Sequence, residues 1–270
     1  MTMLTRTCLR ALLAGSLALL ASHAMADAID DIKARGTLLV GGKTDYKPFG
    51  YREPSGKVVG FSVDLAQRVA DKLGVKVEIV PTTAANQLQF LEQGKVDVVI
   101  AAMNDTPERR KIVYVVEPGY YASGASVLAV KTARIQKWED LKGQKVCAAQ
   151  GAYFNRAVQE RYGADIIAFK APTEAYNALR NGNCSAFVYD DNTLTLKLEE
   201  PEWAGYEVPL KSIMPQPVAM AVRLGEERFH ALLTSLSNEW YKTGVIVQLE
   251  DKWFPGKKST FVQDMVAKYR

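Results

Sequence analysis

The stretch Gly94–Arg110, GKVDVVIAAMNDTPERR, sets the tightest limit on what this chain can fold into. A turn at Gly94 is followed by the apolar residues Val96, Val98, Val99, Ile100 and Ala101, which read as one short strand. Strands apolar on both faces belong to parallel sheets covered by helices. The polar residues Asp105-Thr106-Pro107-Glu108 then read as the opening of a helix, because Asp or Thr before a Pro is a helix start signal. In open α/β sheets, ligands sit outside the carboxyl ends of the strands. Ala102, Asn104, Thr106 and Arg109 therefore fall where a ligand is expected. Arg109 offers a planar, permanently charged fork that suits a carboxylate. Taken alone, such an arginine is most simply a surface residue near a helix start.

The 270-residue chain opens with the marks of an export signal. Arg6 and Arg10 form a positive region, Ala11–Leu20 an apolar core, and Ala24-Met25-Ala26 an A-x-A cleavage site. The apolar run is too short to span a bilayer comfortably. Residues 1–26 are thus expected to be removed on secretion, leaving a chain that starts at Asp27. Removal takes away two arginines and no acids, so the remaining charge is nearly balanced. Nothing in that balance calls for nucleic acid or an anionic membrane surface. Two cysteines survive, Cys147 and Cys184, and an even count in an exported protein suggests one disulfide. Two cysteines and His230 are not a metal ligand set, so no metal and no cofactor is expected.

Taken in order, the chain alternates helices and strands. Asp27–Arg35 reads as a helix ended by Gly36, and Thr37–Gly41 as a strand. The loop after it, Gly42–Phe49, faces the same crevice, and Tyr46 and Phe49 offer either an apolar wall for a ligand or loop packing. Ser62–Leu73 is an amphipathic helix with Leu65, Ala66, Val69, Ala70 and Leu73 on one face. Val75–Val80 is a strand and Asn86–Gln93 a helix stopped by Gly94. Such alternation predicts a parallel sheet. Glu117–Tyr121 reads as loop and Ser126–Val130 as a strand.

A second α/β unit follows, with strands at 145–149, 165–169 and 184–189 and helices at 153–161 and 173–181. Gly151 stands at its first strand-to-helix junction, where backbone N–H groups can approach an anion. Asp190 ends its buried strand, as a ligand partner or as the N-cap of a helix over 192–199. Pro201–Pro217 reads as irregular, Val218–Val222 as a strand, and 226–243, 245–253 and 260–269 as helices. Two such units suggest two lobes around a cleft. Arg109 and Asp190 then supply the cation and the anion that a zwitterion needs.

At this point the chain resembles the periplasmic solute-binding proteins of the polar amino-acid ABC transport family. The carrying pieces are Tyr46-Lys-Pro-Phe49, Val59-Gly-Phe-Ser-Val-Asp64-Leu, Leu91-Glu-Gln-Gly-Lys-Val-Asp97, Thr106-Pro-Glu-Arg109, Leu141-Lys-Gly143, Ala149-Gln-Gly151, Ala186-Phe-Val-Tyr-Asp190 and Lys252-Trp-Phe254. The resemblance implies a two-lobe, type II periplasmic-binding fold, each lobe a mainly parallel sheet flanked by helices, with a hinge between them. Lobe one would hold 27–124 and 219–270, lobe two 125–218, with Ala122–Val127 and Pro217–Val222 as the hinge. It implies Arg109 for the ligand carboxylate, Asp190 for the ammonium, and Tyr46 and Phe49 as aromatic cover. Ala102 and Asn104 would meet the head group, Gly151–Tyr153 would be the second lobe's contact loop, and Cys147–Cys184 a disulfide found in some members. Lys43 stands where members place a side-chain-selecting residue, which leans the ligand towards an acidic amino acid. Where the family often carries Ser or Thr hydroxyls, this chain has Ala102, Asn104, Ala152 and Tyr153.

The function implied is periplasmic capture of a polar amino acid and its delivery to an inner-membrane permease, by a monomer without catalysis. A periplasmic cyclohexadienyl dehydratase, acting on prephenate or arogenate, resembles the same family and is the alternative. No Ser–His–Asp, phosphate-loop or metal pattern supports another enzyme class.

Overall fold

The computed structural model describes residues 27–269, so the export signal expected at 1–26 lies outside the described residues. Helix α1 (Ala28–Arg35) is capped by the Asp27 side chain, which accepts from the Ile29 N–H, and ends at Gly36 with φ +71°. A left-handed residue there closes the last turn, a conformation glycine adopts without steric cost. Strand β1 (Thr37–Gly42) leads through the short β2 (Asp45–Tyr46), β3 (Gly50–Arg52) and β4 (Val58–Val59) into α2 (Phe61–Leu73). Leu65, Ala66, Val69 and Ala70 are fully buried, the face that the periodicity predicts. Strand β5 (Lys76–Pro81), helix α3 (Gln87–Glu92) and strand β6 (Val98–Asn104) follow. Every residue of β6 is buried, and β1 pairs in parallel with both β5 and β6. The one charge at the head of that apolar stretch, Asp97, accepts from the Leu39 N–H at 2.8 Å and from Arg35.

The helix expected after Pro107 does not form. A single 3₁₀ turn, Arg109–Lys111, gives way at once to strand β7 (Val113–Val115). Val113 and Val115 bury their side chains while β7 pairs with a later strand, so tertiary packing overrides the local helix start.

The second half repeats the α/β alternation: β9 (Lys145–Ala149), α4 (Asn155–Tyr162), β10 (Asp165–Phe169), α5 (Pro172–Arg180), β11 (Ala186–Asp190) and α6 (Asp191–Lys197). Strand β9 lies between β10 and β11 and is parallel to both. Two long strands join the halves, β8 (Tyr121–Val130) and β13 (Ile213–Arg223). Residues 121–125 of β8 pair with β13 and residues 125–129 pair with β11, both antiparallel. Strand β13 in turn passes from β8 to β6 and β7. The resulting order, β10-β9-β11-β8-β13-β6-β1-β5, runs through both lobes, with β12 (Tyr206–Glu207) beside β8. Helices α7 (Glu227–Lys242), α8 (Val245–Trp253) and α9 (Thr260–Tyr269) complete the chain.

Both joining strands are longer than their sequence suggests. Residues 122–125 precede the strand read from Ser126 and 213–217 read as irregular, yet each completes the other's ladder. Cys147 in β9 and Cys184, just before β11, are joined in a disulfide across 37 residues. Closing a loop of that length stabilises by about 3–4 kcal/mol on the chain-entropy account. The paired Cys147→Ala/Cys184→Ala variant is therefore expected to lose roughly that much stability in a urea titration. A midpoint unchanged from wild type would show that the unfolded chain is not constrained by this bond.

Candidate functional site

The carboxyl ends of β1, β6, β9 and β11 meet at one place, and the polar residues there come from both lobes. Strand β6 is distorted just before its end. Ala102 has φ +49°, and the β6–β13 register shifts between Ala219 and Ala221. A left-handed alanine costs on the order of 1–2 kcal/mol. The Ala102 N–H donates instead to the Tyr120 hydroxyl at 3.0 Å. Such irregularities re-aim the residues beyond them. Those residues here are Asn104 and the turn that carries Arg109.

Arg109 reaches across the cleft. Its Nη1 donates to the Asn104 carbonyl at 2.7 Å and its Nη2 to the Gly151 carbonyl at 3.3 Å. Asp190 is 5 % exposed, and its carboxylate accepts from the Tyr46 hydroxyl at 2.6 Å and from Ser123 Oγ at 2.9 Å. Asn104 Nδ2 donates to the same Ser123 Oγ at 2.9 Å, and Thr193 Oγ1 donates to the Tyr46 oxygen. Asp190 occupies the N-cap position of α6, yet its side chain makes no capping bond. Burial pushes its carboxyl above the usual range, opposed by Lys43 and by the Tyr46 and Ser123 hydrogen bonds. Lys43 is 8 % exposed, with Nζ 3.9 Å from the Tyr46 ring centroid. Burial lowers its pKa, while the nearby Asp190 and Asp45 oppose that shift. Burial likewise raises Asp45, and Lys43 draws it back down.

Of the residues singled out from sequence, Lys43, Ala102, Asn104, Arg109 and Asp190 line one interlobe void of about 20 Å³. Gly151 meets that cluster through its carbonyl. Tyr46 borders a second compartment of about 370 Å³, which Tyr189, Tyr176 and Trp253 also line. Phe49 faces neither. It is buried among Phe61, Tyr121 and Phe254, with ring centroids 5.4–6.0 Å away, and stacks on Tyr46. Tyr153 also lies outside the void's lining, and its hydroxyl donates to the Met214 carbonyl on β13 at 2.5 Å. Phe154, expected with Tyr153 to narrow the cleft, lines the void, whereas nothing in the sequence singles out Ser123, Tyr189 or Gln87. Ser123 lies in the part of β8 ahead of the strand read from Ser126, and Gln87 reads only as an opening residue of a helix. Among the described residues no group of three or more His, Cys, Asp and Glu is placed to hold a metal.

This is the two-lobed fold of a binding protein, with a cation and an anion lining one void between the lobes. Comparison with known proteins agrees. Residues 38–256 match bacterial extracellular solute-binding proteins, family 3, and the chain belongs to that family. The L-cystine-binding protein TcyJ of Escherichia coli (strain K12) is 31% identical over 229 residues, which cover 84% of this chain and 85% of that one. The ABC transporter glutamine-binding protein GlnH of Bacillus subtilis (strain 168) is 29% identical over 233 residues, 84% of each chain. The crystal structure of the ancestral amino acid-binding protein AncCDT-1, a precursor of cyclohexadienyl dehydratase, is similar with TM-score 0.77 and 33% identity, covering 84% of this chain and 99% of that one.

Gly151 comes close to the backbone at Ala84 and Ala85. It has φ +78°, and a Cβ built on it would lie 2.6–2.7 Å from backbone atoms of Ala84 and Ala85. No side chain fits there unless the lobes separate. Gly151→Ala is expected to increase the radius of gyration in small-angle scattering and to weaken ligand binding. A scattering profile identical to wild type would show that the contact does not limit closure.

Proposed function

We propose that this chain is the periplasmic binding component of an ABC importer for a polar, net-neutral amino acid, exported by cleavage after Ala26 and without catalytic activity of its own. The observation that carries the reading is the pairing of Arg109 and Asp190 on opposite walls of one buried void. Arg109 takes the ligand's α-carboxylate and Asp190 its α-ammonium, with Ala102, Asn104 and the Gly151 loop around the head group. The two remaining charges, Lys43 and Asp45, oppose each other. Lys43 alone leans the ligand towards an acid. Half-buried Asp45 beside it offsets that lean, so the four charges Lys43, Asp45, Arg109 and Asp190 sum to zero, and a net-neutral ligand preserves that balance.

On this reading lobe one comprises 27–124 and 219–270, and lobe two comprises 125–218. The change of ladder partner near Ala125 in β8 and near Val218 in β13 supports those boundaries. A void of about 20 Å³ holds little more than one water, so an amino acid enters only when the lobes part about these strands. The partner is a membrane permease that reads the closed, loaded monomer. For the dehydratase alternative, the related ancestral neighbour is itself described as an amino acid-binding protein.

The test is a thermal-shift screen of protein refolded to remove carried-over ligand. Twenty amino acids, dipeptides and prephenate are the probes. A ligand at a hundred times its dissociation constant adds about 2.7 kcal/mol to the folded state. Arg109→Ala is expected to abolish the response to every amino acid, a loss of about 2–5 kcal/mol of binding. An unchanged response would remove Arg109 from its role, and phenylpyruvate formed from prephenate would restore the enzyme.

Binding should also depend on pH through Asp190. Its carboxyl titrates above the ordinary carboxylate range when the site is empty of ligand, and an ammonium partner favours the ionised form. Affinity is therefore full above that raised pKa and falls as pH drops through it, with a proton released on binding inside the window. Calorimetry in buffers of differing ionisation heat counts that proton. No release at any mildly acidic pH would show that Asp190 does not meet the ammonium.

A further inference from the structure

We propose that Tyr120 is a positioning residue for the head-group site. Its hydroxyl holds Ala102 in the left-handed conformation from which Asn104 and Arg109 are presented to Asp190. The proposal rests on the reading that Arg109 and Asp190 hold an amino-acid head group. Between the pairs Val99–Ala221 and Met103–Ala219, β6 carries Ile100, Ala101 and Ala102, whereas β13 carries only Met220. The surplus forms a bulge, and Ala102 within it has φ +49°. A non-glycine residue is strained in that region and stays there only where its surroundings hold it. Among the described residues the other such positions are Arg134, which is exposed, and Met214, which is half-buried. Neither lines the void, and Ala102 does.

What holds Ala102 is a side chain. The Met220 and Val218 carbonyls of β13 accept from the Val116 and Tyr120 N–H groups at 2.9 and 2.8 Å. The Ala102 N–H donates to the Tyr120 hydroxyl at 3.0 Å. A buried amide without a partner is costly, so this bond sets the direction of the peptide entering Ala102. Tyr120 is itself fixed at both ends. Its N–H is tied to β13, just ahead of β8. Its ring is fully buried and stacks on Phe61 at 5.8 Å, and its hydroxyl pairs with Ser62 Oγ at 3.2 Å, both residues at the start of α2. Asn104 follows two residues after Ala102, and its carbonyl accepts from Arg109 Nη1. Both ligand-facing groups of lobe one therefore inherit the direction set at Ala102. Phenylalanine at position 120 keeps the ring and its stack and removes only the hydroxyl. Alanine at 102 is then free to relax towards the β region. Glycine at 102 adopts the left-handed conformation without steric cost and has less need of the hydroxyl.

Isothermal titration of refolded, ligand-free protein tests this with the twenty amino acids and cystine as probes. Wild type, Tyr120→Phe, Ala102→Gly and the double variant form one cycle. Tyr120→Phe is expected to weaken every probe that binds wild type by a common factor of about fivefold or more, because the probes share a head group. With glycine at 102, removing the same hydroxyl should weaken binding by less than about twofold. Ser62→Ala, which withdraws the hydroxyl's other partner, should weaken binding in the same sense by a smaller factor, and it replaces Tyr120→Phe in the cycle if that variant does not fold. Equal losses in the alanine and glycine backgrounds would show that Tyr120 serves packing alone, and the proposal falls. Unchanged affinity on removing the hydroxyl overturns it, and so does an Ala102→Gly variant that binds no probe. Arg109→Ala is titrated alongside. If it binds normally, or if no probe binds wild type, the head-group reading has failed and this proposal falls with it. If Arg109→Ala abolishes binding while Tyr120→Phe leaves it unchanged, only the role of Tyr120 is overturned.

Discussion

Burial of the Asp190 carboxylate is the constraint around which the two lobes are arranged. A carboxylate removed from water is costly unless hydrogen-bond donors replace the solvent. Its donors come from far along the chain, Tyr46 in the loop region after β1 and Ser123 in β8. Satisfying one side chain therefore brings together the first lobe, a joining strand and the second lobe. Phe49 contributes here without touching the void. It stacks on Tyr46 and is itself held by Phe61, Tyr121 and Phe254, so the hydroxyl of Tyr46 is aimed by an aromatic cluster.

The joining strands carry the same constraint into the backbone. Each of β8 and β13 has to change partner midway, and the changes leave irregularities. Met214 has φ +53°, and β13 slips register against β8 between Ile213 and Gln216. Gly124 lies so close to Ser212 that a Cβ there would meet its Oγ at 2.2 Å. Tyr153 bonds to the Met214 carbonyl, tying the contact loop of the second lobe to the place where β13 is irregular. Strand β8 presents Ser123 to Asp190 from this same region, so movement about these strands and the pairing of Asp190 are linked.

Most of the fold was legible in the chain because burial follows simple periods. The α2 face, the fully buried β6 and strands β9 and β10 follow directly from their apolar spacing and from Gly at the ends of helices. The failures share a cause. Tyr121–Ala125 and Ile213–Pro217 have loop-like residues, and only each other's ladder makes them strands. Thr106-Pro107 signals a helix, but Val113 and Val115 find more burial as a strand beside β13. In the site, Arg109 and Asp190 could be found because charged residues at strand ends are unusual and complementary. Gln87 could not, since a polar residue opening a helix ordinarily faces water. Its place in the site comes from the void it lines, which no local pattern reveals.

The site's electrostatics also show what the approach of the two lobes supplies to a buried carboxylate. Asp190 takes one donor from the joining strand β8, Ser123, and a second from across the cleft, Tyr46. Arg109 likewise rests on two backbone carbonyls, Asn104 and Gly151. Both groups are thus held in position by partners from both lobes. The bonds that cross between lobes, Tyr46 to Asp190 and Arg109 to Gly151, run through the same two side chains that we propose face the ligand. A zwitterion placed between them adds its own charges to those bridges. On that proposal ligand binding and lobe closure become one equilibrium, driven by interactions that exist in full only in the closed form.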